Sequence, residues 1–173
     1  MKVTVLRLGH RIFRDKRLTT HICLIARAFG ADTVIFSGEE DKSIVESVSD
    51  IVERWGGPFE VRYEKNWKAF IKKFDGVKVH LTVYGKPIQD TIEKIREIKQ
   101  NLLIIVGSQK VPSEVYNIVD YNIGVTQQPH SEAAALAVFL HEFFQGKELK
   151  KQFENGKIEI APQEKGKKVI KIN

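Results

Sequence analysis

Four arginines stand early in the 173-residue chain, at Arg7, Arg11, Arg14 and Arg17. A guanidinium matches the planar geometry of phosphate where a lysine ammonium does not, so the group suits a polyanionic ligand. Two polar turns form a second chemical feature, GSQKVP (107–112) and TQQPHS (126–131). Each holds a proline and joins an apolar run to a helical one. Backbone N–H groups in such turns can hold a ligand carboxylate or hydroxyl. Of the histidines near these features, His130 lies within the second turn, whereas His21 reads as a structural residue of an apolar helix. Ser131 reads as a helix cap. Cys23 reads as core.

The charge balance supports a polyanion. The net charge is +6. Residues 7–17 hold five basic side chains against one acid, and residues 147–173 hold eight lysines against four glutamates, so the body between is slightly acidic. Two basic edges suit a ligand that touches both, and such binding weakens with salt. Other classes are excluded by what is missing. There is no GxGxxG after the first apolar run, no GxxxxGK[ST], no HExxH and no paired Cys/His cluster. A dinucleotide fold, a P-loop NTPase and a metal hydrolase therefore lack their motifs, and no metal is expected. The single cysteine excludes an internal disulfide framework. No apolar run approaches the ~20 residues of a membrane span. The first residues are too charged for a secretory leader, so a cytoplasmic location is expected.

These residues must be positioned by alternating strands and helices. The spacing predicts strands at 2–8, 32–37, 59–64, 77–85, 101–107 and 120–125. Helices are predicted at 19–29, 41–55, 66–74, 87–99 and 131–144, with a short one after 111 and two short edge strands in the tail. Continuous apolar strands alternating with helices argue for an α/β fold whose mainly parallel sheet is flanked by helices. Ligands then bind at the carboxyl ends of the strands, in the turns after Val83, Val106 and Val125. In helix 131–144, Leu136, Phe139, Leu140 and Phe143 form one stripe, and Ala133, Ala134, Ala137, Val138 and Phe144 add a second apolar face. A surface helix needs one stripe, so the second suggests a homodimer contact.

Three segments together resemble the SPOUT superfamily of RNA methyltransferases. They are THICLIARAFGADTVIFSG (20–38), NLLIIVGSQKVP (101–112) and YNIGVTQQPHSEAAALAVFL (121–140). In the first, His21 stands where such enzymes carry asparagine and Arg27 stands at their arginine. In the second, Gln109 replaces the usual glutamate. The pairing of RDKRLTTH with ARAFGAD is most similar to the archaeal tRNA cytidine-56 2′-O-methyltransferase family, and the likeness extends over about residues 1–170.

The resemblance implies a SPOUT domain with a C-terminal trefoil knot over residues 1–146 and a basic extension over 147–173. It implies S-adenosylmethionine as cofactor, tRNA as substrate and a homodimer through helix 131–144. The implied cofactor residues are Leu81, Gly85, Gly107, Ser108, Gln109, Lys110 and Val111, then Val125, Thr126, Gln127, Gln128, Pro129, His130, Ser131 and Glu132. Arg27 is the implied catalytic arginine, with Arg14 and Arg17 gripping RNA or entering the site. An arginine stays protonated, so its expected task is to fix a phosphate or the 2′-oxygen while an RNA phosphate or water takes the proton. The residues by themselves also suit a non-catalytic RNA-binding α/β protein, a small-molecule α/β enzyme, or a methyltransferase acting on another nucleotide.

Overall fold

A computed structural model describes residues 1–108 and 110–172. Six strands form one sheet: β1 (Val3–His10), β2 (Thr33–Gly38), β3 (Glu60–Tyr63), β4 (Val77–Pro87), β5 (Leu102–Gly107) and β6 (Tyr121–Gly124). Their spatial order is β3-β2-β1-β5-β4-β6, and every pairing is parallel. The order reverses between β1 and β5, the kind of crevice where open α/β sheets bind ligands.

Alternation along the strands builds two cores. Val3 and Val5 of β1 and Leu102, Ile104 and Val106 of β5 join one cluster, with Leu6, Leu8, Leu103 and Ile105 in the other. Successive side chains point to opposite faces, so an unbroken apolar run fills both layers. The larger layer holds α1 (Ile12–Ala28), α2 (Lys42–Trp55), α4 (Ile92–Glu97) and α6 (Glu132–Phe144). The smaller holds α3 (Trp67–Lys73) and α5 (Val115–Ile118).

Two helices differ from the sequence expectation. Helix α1 begins at Ile12 rather than at residue 19. Its first residue has no cap from a near neighbour, and the Glu39 carboxylate accepts the Ile12 N–H instead (2.6 Å). Arg14 and Arg17 therefore lie within the helix, not before it. The helix expected at 87–99 is a single 3₁₀ turn, Ile88–Asp90, followed by α4. The break falls at Thr91, whose hydroxyl donates to the Pro87 and Ile88 carbonyls (3.3 Å each) and competes with the helix backbone. Helix α6 begins and ends as expected, with Ser131 accepting from the Ala133 N–H (3.1 Å). Its stripe of Leu136, Phe139, Leu140 and Phe143 is buried within the chain itself, so only Ala134 and Val138 of its apolar residues are exposed.

The tail forms an antiparallel hairpin of β7 (Ile158–Ala161) and β8 (Lys168–Lys171). It is tied to the end of α2, where Gly57 and Glu154 exchange backbone hydrogen bonds (2.8 and 2.9 Å) and the Lys157 N–H donates to Arg54 (2.9 Å). No helix among the described residues is long and apolar enough to cross a membrane.

Candidate active site

The irregular middle of β4 and the turns after β5 and β6 converge on one cavity of about 280 Å³. The middle of β4 contributes His80, Leu81, Thr82, Val83 and Tyr84; the β5 turn contributes Gly107, Ser108 and Val111; the segment after β6 contributes Val125, His130 and Glu132, and α5 adds Tyr116. Of the expected cofactor residues, Leu81, Gly107, Ser108, Val111, Val125, His130 and Glu132 line this space. Gln109 lies outside the described residues.

The others stand behind or beside it. Gly85 packs against the backbone of Asn122 and Ile123, where a Cβ would overlap main-chain atoms, and its carbonyl accepts from the Gln127 side chain (3.3 Å). Gly85 and Gln127 thus hold the β4 turn against β6 rather than forming the wall. Thr126 accepts from the Gln128 N–H (3.2 Å) in a side-chain turn, and Ser131 caps α6. Gln128 and Pro129 are exposed on the same turn, and Lys110 lines a neighbouring opening.

Below the wall lie His80, which sequence reading passed over, and Arg7, whose burial it missed. His80 is fully buried, with Nδ1 2.9 Å from Asn122 Oδ1. The Asn122 amide donates to the Tyr116 carbonyl (2.8 Å), which turns its oxygen toward the ring and makes Nδ1 the donor. Burial lowers the His80 pKa, against the pull of the Asn122 hydrogen bond, so the ring is neutral near pH 7. It packs edge-on to Tyr116 at 4.7 Å.

Arg7 is the largest buried polar residue of the site. In the β1 alternation it follows Val3 and Val5 onto the face covered by α1 and α6, an apolar position by pattern. Its guanidinium lies 3.4 Å from Glu132 of α6 and 3.9 Å from Asp15 of α1, and it donates to the Leu8 carbonyl (3.4 Å). Burial lowers the Arg7 pKa while Glu132 and Asp15 raise it, and an arginine remains cationic throughout. Asp15 in turn accepts from Arg11 Nε (2.9 Å). A chain of charges, Glu132–Arg7–Asp15–Arg11, therefore links the cavity wall to the β1–α1 corner. The period-two pattern Val3, Val5, Arg7 was the available signal.

The same corner is pinned by His10, whose Nδ1 lies 2.8 Å from Thr19 Oγ1 and Nε2 3.4 Å from Asp41. Burial lowers the His10 pKa, as does the Arg7 charge, so this ring is also neutral near pH 7. Cys23 is buried core as expected, its thiol pushed up to about 12 by burial.

Arg27 lies apart from this cavity within the chain. Helix α1 leaves the carboxyl end of β1 and ends beside the start of β2, so its last turn lies at the opposite edge of the sheet from the cavity. There Arg27 is buried, donating from Nη2 to the Trp55 and Gly56 carbonyls (2.9 and 2.7 Å) and from Nε to Gly56 (3.3 Å). The Phe153 ring of the tail covers it at 4.0 Å. Its donors are committed to the α2 terminus, and it binds the tail rather than reaching the cavity. Arg14 and Arg17 are exposed on the first turns of α1, beside Phe13. His21 is exposed on that helix, not part of its core face.

Among the described residues no group of three His, Cys, Asp or Glu side chains could hold a metal ion.

Comparison with known proteins places this geometry. The model of the family described as tRNA ribose 2′-O-methyltransferase, aTrm56, matches residues 55–170. The tRNA (cytidine(56)-2′-O)-methyltransferase of Pyrococcus horikoshii is 54% identical over 173 residues, covering 98% of this chain and 85% of the relative. That of Methanocaldococcus jannaschii is 52% identical, covering 99% and 97%. Among solved structures, the TrmH/SpoU tRNA-modifying enzyme of A. aeolicus matches with a TM-score of 0.61 at 15% identity, covering 86% of this chain and 77% of that one. The methyltransferase AviRb of Streptomyces viridochromogenes, solved with AdoMet, matches with a TM-score of 0.58 at 16% identity; this chain covers 57% of it, with 83% of its own length aligned. At these identities the solved structures establish the fold.

Proposed function

Because the chain belongs to the tRNA ribose 2′-O-methyltransferase family, we propose that it methylates the 2′-oxygen of cytidine 56 in tRNA, using S-adenosylmethionine. The observation that carries this reading is the convergence of β4 and the turns after β5 and β6 on one cavity toward the carboxyl edge of a parallel sheet.

The residues present fit the cofactor. The walls formed by Leu81, Val111 and Val125 suit a flat apolar ring, and the nearby main chain offers N–H and C=O groups to its edge. The Glu132 carboxylate on the wall suits a cation, and Arg7 behind it holds that carboxylate in place. When bound, the cofactor supplies a methyl group on a sulfonium, already a good leaving group.

The protein's task is then positioning. A ribose hydroxyl is a weak nucleophile, and holding it oriented toward the bound donor would supply several kcal/mol of the barrier. The basic β1–α1 corner, with Arg11, Arg14 and Arg17, sits on the same edge of the sheet and receives the RNA backbone. The proton of the 2′-hydroxyl leaves to water or an RNA phosphate, since the arginines stay charged. The exposed Phe13 of α1 and Ala134 and Val138 of α6 support a homodimer, because these two helices pack side by side and leave that face open.

Incubation with methyl-labelled S-adenosylmethionine and unmodified tRNA, followed by mapping, should place one 2′-O-methyl group at nucleotide 56. No transfer, or transfer to a base, would refute the reading.

A further inference from the structure

We propose that the opening between the carboxyl ends of β1 and β2 receives the acceptor nucleotide, and that Glu39 on its far wall recognises the exocyclic amino group of cytosine. This rests on the methyl-transfer reading and assigns its base specificity. The opening has a volume of about 540 Å³ and is lined by Gly9 and Arg11 of the β1 end, Gly38 and Glu39 of the β2 end, and Ser108 and Lys110 after β5. It extends across β1 to the β5 turn, where the strand order reverses. Ser108 also lines the cofactor cavity, so the two spaces meet at the β5 turn.

That shared wall orients the substrate. The reacting ribose must sit on the Ser108 side, within reach of the transferred methyl. β5, β1 and β2 are successive neighbours, so at ~4.8 Å per strand Glu39 stands about 10 Å across the opening. The base projects that way. Arg11 and Lys110 supply cations for phosphate, whereas Glu39 is the one acid on this wall among the described residues. A carboxylate repels phosphate, and at this distance it does not reach the 2′-hydroxyl. It is well matched to cytosine, which presents an amino donor where uracil presents a carbonyl acceptor.

Glu39 is also held still. Oε2 accepts the Ile12 N–H (2.6 Å), and the Glu39 N–H donates to the His10 carbonyl (2.8 Å). Oε1 is uncommitted among the described residues. His10 behind the corner is buried against Thr19 and Asp41, so the wall keeps its shape without the ligand.

The test compares tRNA carrying cytidine or uridine at position 56, measuring kcat/KM for transfer by the full chain and by Glu39→Gln. Glutamine keeps an oxygen for the Ile12 N–H, and its carboxamide can pair with either base. Wild type should favour cytidine by about tenfold or more, and Glu39→Gln should lose most of that preference. The effect of the base change on tRNA folding cancels in the ratio between the two proteins. Lys110→Ala should raise KM for both tRNAs alike and leave the ratio unmoved. An equal ratio in wild type and Glu39→Gln would overturn the proposal and leave Glu39 as a helix cap. A wild type that methylates neither tRNA at position 56 would overturn the transfer reading and this proposal with it.

Discussion

Consider the variant Arg27→Met, which keeps an aliphatic stem but removes the guanidinium. The structure gives that group three hydrogen bonds to the Trp55 and Gly56 carbonyls and a stacked Phe153 ring. Hydrogen bonds to a charged donor contribute about 1.5–3 kcal/mol, and a partly desolvated cation–π contact contributes about 1 more. Burial opposes the charge, as the lowered pKa of Arg27 reflects, and offsets part of the gain. The net loss should be about 3 kcal/mol. At roughly 2–4 °C per kcal/mol for a chain of this size, the thermal midpoint should fall by about 6–12 °C. Methyl transfer per folded molecule, measured well below that midpoint, should be unchanged. Circular dichroism melts and labelled-methyl transfer on the same preparation decide the matter. A melt like wild type, with transfer down about tenfold (about 1.4 kcal/mol of transition-state stabilisation), would refute the structural role and return Arg27 to the chemistry.

Other perturbations reach different parts of the molecule. Gly85→Ala forces a Cβ into the backbone of Asn122 and Ile123, so it should destabilise by more than about 4 kcal/mol and abolish cofactor binding by calorimetry. Burial raises the Asp15 pKa, but the Arg11 hydrogen bond and the Arg7 and Arg11 charges outweigh it and hold the carboxyl below its ordinary value. Its contribution is thus present above the unfolded value of about 3.9 and lost as pH falls through the lower folded value. Arg11→Ala should move acid unfolding to higher pH, and an unshifted titration would count against the Glu132–Arg7–Asp15–Arg11 chain. Val138→Glu should yield monomers in sedimentation experiments without lowering the melt, because Val138 is exposed in the single chain; an unchanged dimer would move the interface elsewhere.

Local pattern made most of the fold legible. The run Leu102–Gly107 could only be a strand buried on both faces, and strand–helix alternation then required a parallel sheet. The turns after β5 and β6 that line the cavity were legible for the same reason, since they follow those strands in sequence. The start of α1 was not, because its cap is Glu39, supplied by the end of the neighbouring strand. The second apolar face of α6 was only partly a surface, because its Ala133 and Phe144 pack against the chain's own core.

The sequence by itself determined which residues alternate, where strands end, and that arginines gather near the first helix. Only the tertiary structure decided what each arginine does. Sixteen residues of helix separate Arg11 from Arg27, about 24 Å at 1.5 Å per residue, so one stands by the cavity edge and the other at the far side of the sheet. Arg7 reaches the site by strand alternation, which turns it inward between two carboxylates contributed by separate helices. Charge position along a chain is a property of sequence; the partner that neutralises a buried charge is a property of packing.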